Sequence, residues 1–334
     1  MEYRMHLSTR SFWLPIAVAL LLLRAPAGSA EVTIDWVTVG DPGNSCETQS
    51  QGCFGSVAYP YRISKFQVTN AQYTEFLNAV AATDTNGLYD TSMGSGRGGI
   101  TRSGSSGSYS YATIFGRADM PVIFVSFWDA TRFANWLHNG QATGAQDDTT
   151  TEDGAYTLTP SDITNNTVTR NQGAAVFVTS EDEWYKGAYY DTGAMVYFDY
   201  PAGSNGVTAC SMPGPTPNTA NCGNAANADL TTVGLYSGSA SPVGTFDQGG
   251  NVWEWNEASS GSLRGLRGGS FSGSSLFLAA SFRRLNFAAF SSDVTVGFRV
   301  ASVASPPPVP FLGPIGIAML GILLGLAGYR RLRS

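Results

Sequence analysis

Histidine is nearly missing from this chain, with His6 and His138 the only two in 334 residues. His6 lies in an N-terminal stretch that reads as a cleaved leader, which leaves the mature chain His138 alone. Zinc enzymes, Ser-His-Asp hydrolases and Cys-His proteases all depend on imidazole and are excluded on this count. Charge is scarce as well, at 13% Asp, Glu, Lys and Arg. Residues 31–310 carry 13 Lys and Arg against 24 Asp and Glu, a net charge near −11. An acidic surface repels a phosphate backbone, so no nucleic-acid partner is expected. Cysteine is limited to Cys46, Cys53, Cys210 and Cys222, none at CxxC spacing. An even count in an exported chain favours disulfides, and sequence proximity favours Cys46–Cys53 and Cys210–Cys222 as loop staples. A reactive thiol is the minor alternative.

Long apolar runs occur only at the two ends. Met1–Ala30 has Arg4 and Arg10, an apolar stretch from Phe12 to Leu23, and small residues closing on Ala27-Gly-Ser-Ala30. This is the layout of a secretory signal peptide cut after Ala30, and the run is short for a membrane span. At the other end, Pro306-Pro-Pro-Val-Pro310 precedes an apolar stretch from Phe311 to Gly328, then Arg330, Arg331 and Arg333. Such a segment can span a bilayer with its arginines on the cytoplasmic side. The order of its parts is similar to a bacterial PEP-CTERM sorting signal. That likeness implies an exosortase-type partner and at least transient membrane anchoring through the C-terminal helix; a permanent anchor is the alternative.

Residues 31–305 read as one domain without internal repeats, rich in Gly and aromatic residues and suited to a loop-heavy fold. Val32–Val39 and Tyr59–Val68 pattern as strands. Thr69 and Gln72 form a capping box for a helix that faces inward with Tyr73, Phe76, Leu77 and Val80. Residues 84–119 read as a flexible surface loop, and their glycines lack the Lys-Ser/Thr of a phosphate loop. Pro121–Ser126 reads as a buried strand before a second helix opened by Ser126 and Asp129. Tyr156–Leu158 reads as a short strand. Val176–Ser180 is a strand leading to a third helix, whose Glu181 and Glu183 are expected to cap and solvate its start.

Three short blocks dominate the C-terminal third: Asp247-Gln-Gly-Gly-Asn-Val-Trp-Glu-Trp255, Arg267-Gly-Gly-Ser-Phe271 and Gly297-Phe-Arg-Val300. Two readings of the first are open. Carboxylates and backbone carbonyls freed by glycine suit a hard cation such as calcium; an aromatic core turn with solvated acids is the alternative. In this order, with Phe66-Gln-Val-Thr-Asn70 and Glu181-Asp-Glu-Trp184 upstream, the blocks resemble the formylglycine-generating enzyme family, also called the sulfatase-modifying factor domain. The resemblance spans roughly residues 31–303. It implies an α+β, loop-rich fold related to C-type lectins, with few short helices on irregular antiparallel sheets. It also implies a structural calcium held by the carbonyls of Asp247, Gly250 and Val252 and by the Glu254 carboxylate. Asn227-Ala228 resembles part of a further calcium site whose downstream Asp is not recognisable.

The family oxidises a substrate cysteine with two cysteines of its own, which bind copper or exchange with the substrate thiol. The corresponding positions here are Gly273 and Leu278. Without sulfur there is no copper(I) site and no attacking thiolate, so copper is not expected and no catalytic residue is assigned. Arg283 and Arg284 stand behind this segment and suit a carboxylate or sulfate group, with structural salt bridges as the alternative. The expectation is an exported, non-catalytic domain that binds a glycan, a peptide or a surface protein. An enzyme of the same family with altered oxidation chemistry is the second reading, since fold constrains function loosely. A structural component of an extracellular matrix is the third.

Overall fold

A computed structural model describes residue 1 and residues 31–303. The expected signal peptide and the C-terminal segment lie outside the described residues. Among the described residues no helix is long and apolar enough to cross a membrane.

Two four-stranded sheets frame the domain. The first runs Trp36–Val39, Tyr61–Ser64, Val300–Val303, Val176–Val178, with antiparallel neighbours throughout. It joins strands from both ends of the described chain. The second runs Arg284–Ala288, Leu263–Arg267, Trp253–Ser260, Val296–Gly297, and only the last pair is parallel. Among the described residues there are four α-helices: α1 (Asn70–Val80), α2 (Phe127–His138), α3 (Pro160–Asn165) and α4 (Glu181–Tyr189).

The three predicted helices start with one device. Thr69, Ser126 and Ser180 each accept from the backbone N–H three residues on, and Gln72, Asp129 and Glu183 return the bond. Each cap is worth about 1 kcal/mol. The inward faces of α1 and α2 then meet in one aromatic cluster. Phe133 lies edge-on to Phe76 at 5.4 Å and to Phe298 at 5.4 Å. Edge-to-face pairs add about 0.5–1.5 kcal/mol each beyond the area they bury.

Asp129 caps α2 from within the core, accepting from the Ser126 amide and hydroxyl at 2.8 and 2.6 Å. Burial outweighs these bonds and pushes its carboxyl up to about 6. The folded chain therefore holds this proton up to a higher pH than the unfolded chain. Stability from this group is complete below the ordinary carboxylate range and is lost as pH rises through about 6. Denaturant titrations should show Asp129→Asn gaining on the native chain by roughly 3 kcal/mol between pH 3.5 and pH 7. A pH-independent difference would contradict this.

Several local expectations are corrected. Residues 84–119 are not a flexible surface loop. They hold a 3-10 turn at Thr91–Gly94 and a hairpin, Ile100–Ser103 with Ser110–Thr113, and they bury Leu88, Met93, Ile100 and Tyr111. Pro121–Ser126 is buried but is not a strand; Phe124 takes φ +61°, which breaks any regular pairing. Tyr156–Leu158 makes one isolated bridge, to Arg170, and α3 follows it unforeseen. The two cysteine pairs form as expected: Cys46–Cys53 crosses the small hairpin Glu47–Gln49/Gly52–Phe54, and Cys210–Cys222 ties a long loop.

Candidate functional site

The loop from Asp247 to Val252 turns through left-handed backbone at Asp247, Gly250 and Asn251. Such turns point successive carbonyls to one side. Gly250 is obligatory here, since a Cβ would lie 2.4 Å from the Asn221 carbonyl oxygen. The four oxygens named from the sequence do converge, and what lies at their centre is the side-chain nitrogen of Gln67. Gln67 Nε2 is 3.0 Å from Asp247 O, 3.5 Å from Gly250 O, 3.3 Å from Val252 O and 2.9 Å from Glu254 Oε1.

Glu254 is fully buried and every lone-pair direction is used. Arg299 Nε and Trp184 Nε1 donate to Oε2 at 2.5 and 2.6 Å, while Arg299 Nη2 donates to Oε1 at 2.8 Å. Arg299 also caps the carbonyls of Ser64 and Phe246 at 2.8 and 2.9 Å. The pair thus pins the Asp247 loop to the first sheet. The Asp247 carboxylate points away and accepts from the Gly234 amide at 2.6 Å; burial pushes its pKa up to about 6. A cation and an amide nitrogen cannot share one space, so calcium does not fit this arrangement.

A second buried centre lies at the start of α4, where the carboxylates are not solvated as expected. Glu181 accepts from Arg267 Nε at 2.9 Å and is gripped by Arg283 through Nε at 2.8 and 3.0 Å and Nη2 at 2.6 Å. Arg283 is thus ion-paired, and it also lines the cleft that Arg284 borders. Glu183 pairs with Arg170, which also holds Glu257, both at short range.

Arg284 is placed differently. It opens the edge strand Arg284–Ala288, and its guanidinium lies 5.3 Å from the Trp253 ring and 4.9 Å from the Phe287 ring. Nε donates to Asn286 Oδ1 at 3.1 Å, and among the described residues no carboxylate is within ion-pair distance. Burial pushes its pKa down from the ordinary arginine value, with Asp293 opposing. It borders an open cleft of about 660 Å³ whose apolar wall is Trp253, Phe277 and Phe282. The Phe277–Phe282 rings are 4.7 Å apart, and each lies 5.8 Å from Trp253.

Gly273 lies on the wall of this cleft. Leu278 does not; it is fully buried with Tyr200, Ala220 and Cys222. Of the two positions where the resemblance places thiols, only one faces solvent. Sequence reading found Arg284 and Gly273 but missed Trp253 as a cleft wall and Gln67 as the centre of the oxygen ring. Trp253 reads as core from composition alone, and Gln67 meets partners some 180 positions away.

The described residues form a loop-rich α+β domain with short helices and a cleft beside its second sheet, in agreement with the C-type-lectin-related fold that the resemblance implied. A family model, that of the sulfatase-modifying factor enzyme 1-like domain, matches residues 36–304, and the chain belongs to this family. Among solved structures, the crystal structure of CarF is similar at 20% identity and TM-score 0.50, over 82% of this chain and 99% of that one. Treponema denticola variable protein 1 is similar at 16% identity and TM-score 0.47, over 80% and 95%. PvdO from Pseudomonas aeruginosa is similar at 20% identity and TM-score 0.45, over 81% and 92%. At 20% identity the likeness to CarF is one of fold. No curated protein matches the chain at a significant level.

Proposed function

We propose that this protein is an exported, non-catalytic member of its family that binds an acidic ligand in the cleft bordered by Arg284. The carrying observation is that cleft: an aromatic wall, an arginine with no carboxylate within ion-pair distance among the described residues, and Gly273 where the family's chemistry requires sulfur. Aromatic faces pack on the apolar side of a sugar ring or a side chain, and a guanidinium takes a carboxylate or sulfate in two parallel bonds. The ligand class that uses both is an acidic glycan, with an acidic peptide or surface protein as the nearest competitor. Both disulfides agree with an oxidising compartment. Export by residues 1–30, and display at the cell envelope through the PEP-CTERM-like segment with an exosortase-type partner, complete the proposal.

The test is calorimetric titration of residues 31–305 with uronic-acid and sulfated oligosaccharides and with neutral sugars of equal length. Binding should favour the acidic set and weaken roughly tenfold or more in Arg284→Ala, the scale of a lost charge-assisted hydrogen bond. Equal binding of neutral and acidic sugars, or an unaffected variant, counts against the cleft. In parallel, the same sample with copper, oxygen, a reductant and a Cys-containing sulfatase-motif peptide should yield no formylglycine by mass spectrometry. Turnover there would make the protein an enzyme despite Gly273 and Leu278.

A further inference from the structure

We propose that Gln67 replaces a metal ion: its side-chain amide does by hydrogen bonding what a cation would do for the Asp247–Glu254 loop, and the fold is independent of calcium as a result. This concerns a different loop from the binding cleft and does not rest on it.

The geometry carries the inference. Three backbone carbonyls and one carboxylate oxygen surround Gln67 Nε2 at 2.9–3.5 Å. A calcium ion would draw such oxygens to about 2.3–2.6 Å. The amide carries two protons, so it satisfies the nearest pair, Glu254 Oε1 and Asp247 O, and leaves Val252 O and Gly250 O at the weak end of the range.

Which end of the Gln67 amide faces the ring follows from its neighbours. The Thr231 backbone N–H donates to Asn251 Oδ1 at 3.1 Å, and a backbone N–H can only donate. Asn251 Nδ2 therefore lies on the other side, where it donates to Thr231 O and to Gln67 Oε1, both at 3.2 Å. With Oε1 engaged by Asn251, the nitrogen must point into the ring. The opposite orientation would set five oxygens against one another and leave Asn251 Nδ2 facing an N–H.

Glu254 Oε1, the one carboxylate oxygen in the ring, is already held by Arg299, and Gln67 completes its donors without adding charge, while the Asp247 carboxylate is turned away to the Gly234 amide.

The experiment compares thermal midpoints of residues 31–305 in EGTA and in millimolar calcium, for the native chain and for Gln67→Ala. The alanine vacates the centre of the ring. Its midpoint should fall by roughly 5 °C in EGTA and recover on adding calcium, while the native midpoint stays where it is in both buffers. If Gln67→Ala does not fold without metal, Gln67→Asn, which withdraws the amide by one methylene, serves for the same comparison. A calcium response in the native chain as large as in the variants would overturn the proposal. So would variants that lose stability and gain nothing from calcium.

Discussion

Arg299→Leu is expected to cost about 3–5 kcal/mol, read as a lower denaturation midpoint at unchanged slope. Neither Arg299 nor Glu254 has exposed side-chain surface. Removing the guanidinium leaves a carboxylate in the core with only Gln67 and Trp184 as donors. It also strips the Ser64 and Phe246 carbonyls of their partner. Because the loss is mostly that of an orphaned charge, the Arg299→Leu, Glu254→Gln double variant should recover part of it. Additive losses in that cycle would show that the two residues are not coupled and that the deficit arises elsewhere.

Arg170→Met is the other change of this size. Arg170 holds Glu183 at 2.9 and 2.7 Å and Glu257 at 2.8 Å through both Nε and Nη2. Its guanidinium also lies 3.6 Å from the Phe177 ring. Tyr59 and Tyr156 donate to the two carboxylates at 2.6 Å each, which helps orient them but adds no charge. In the native chain Arg170 and these bonds overcome burial at Glu183 and hold its pKa below the usual range; burial wins at Glu257 and raises it. Glu183 thus contributes stability above the ordinary carboxylate range, lost as pH falls through its lowered folded value. Methionine keeps the packing volume on Phe177 and leaves two carboxylates facing one another. The expected loss is about 3–5 kcal/mol at pH 7, and it should shrink toward pH 5 as one carboxylate takes up a proton. A deficit that is constant from pH 5 to pH 8 would mean that the damage is steric rather than electrostatic.

The local devices were legible from the chain. Thr69 with Gln72, Ser126 with Asp129 and Ser180 with Glu183 announce helix starts because a capping box is built from residues three apart. The inward stripe Tyr73, Phe76, Leu77 and Val80 follows from the helical period, and it is buried. Gly273 and Leu278 are read in the same way, by position within a motif, as standing where the resemblance places two thiols. What failed was local reading of segments whose structure is decided elsewhere. Residues 84–119 look like a flexible surface loop until Tyr73 donates to Leu88 O and Asn78 engages the Tyr111 backbone. Glu181 and Glu183 look like solvated caps because nothing near them in the sequence shows Arg267, Arg283 or Arg170 closing over them.

By itself, then, the sequence pointed to the family, to three of the four helix starts among the described residues and to the favoured disulfide pairing, all of which rest on near neighbours or on motif order. Only the tertiary structure decided the fate of each charge and of the oxygen ring. Arg283 and Arg284 are adjacent in the chain and both line the cleft, yet Arg283 is paired with Glu181 while Arg284 has no carboxylate within ion-pair distance among the described residues. Arg283 precedes the edge strand that Arg284 opens, and the acid it meets, Glu181, starts a helix about a hundred residues away in the chain. Gln67, likewise, is one polar residue among many until folding sets it at the centre of four oxygens from the far end of the chain.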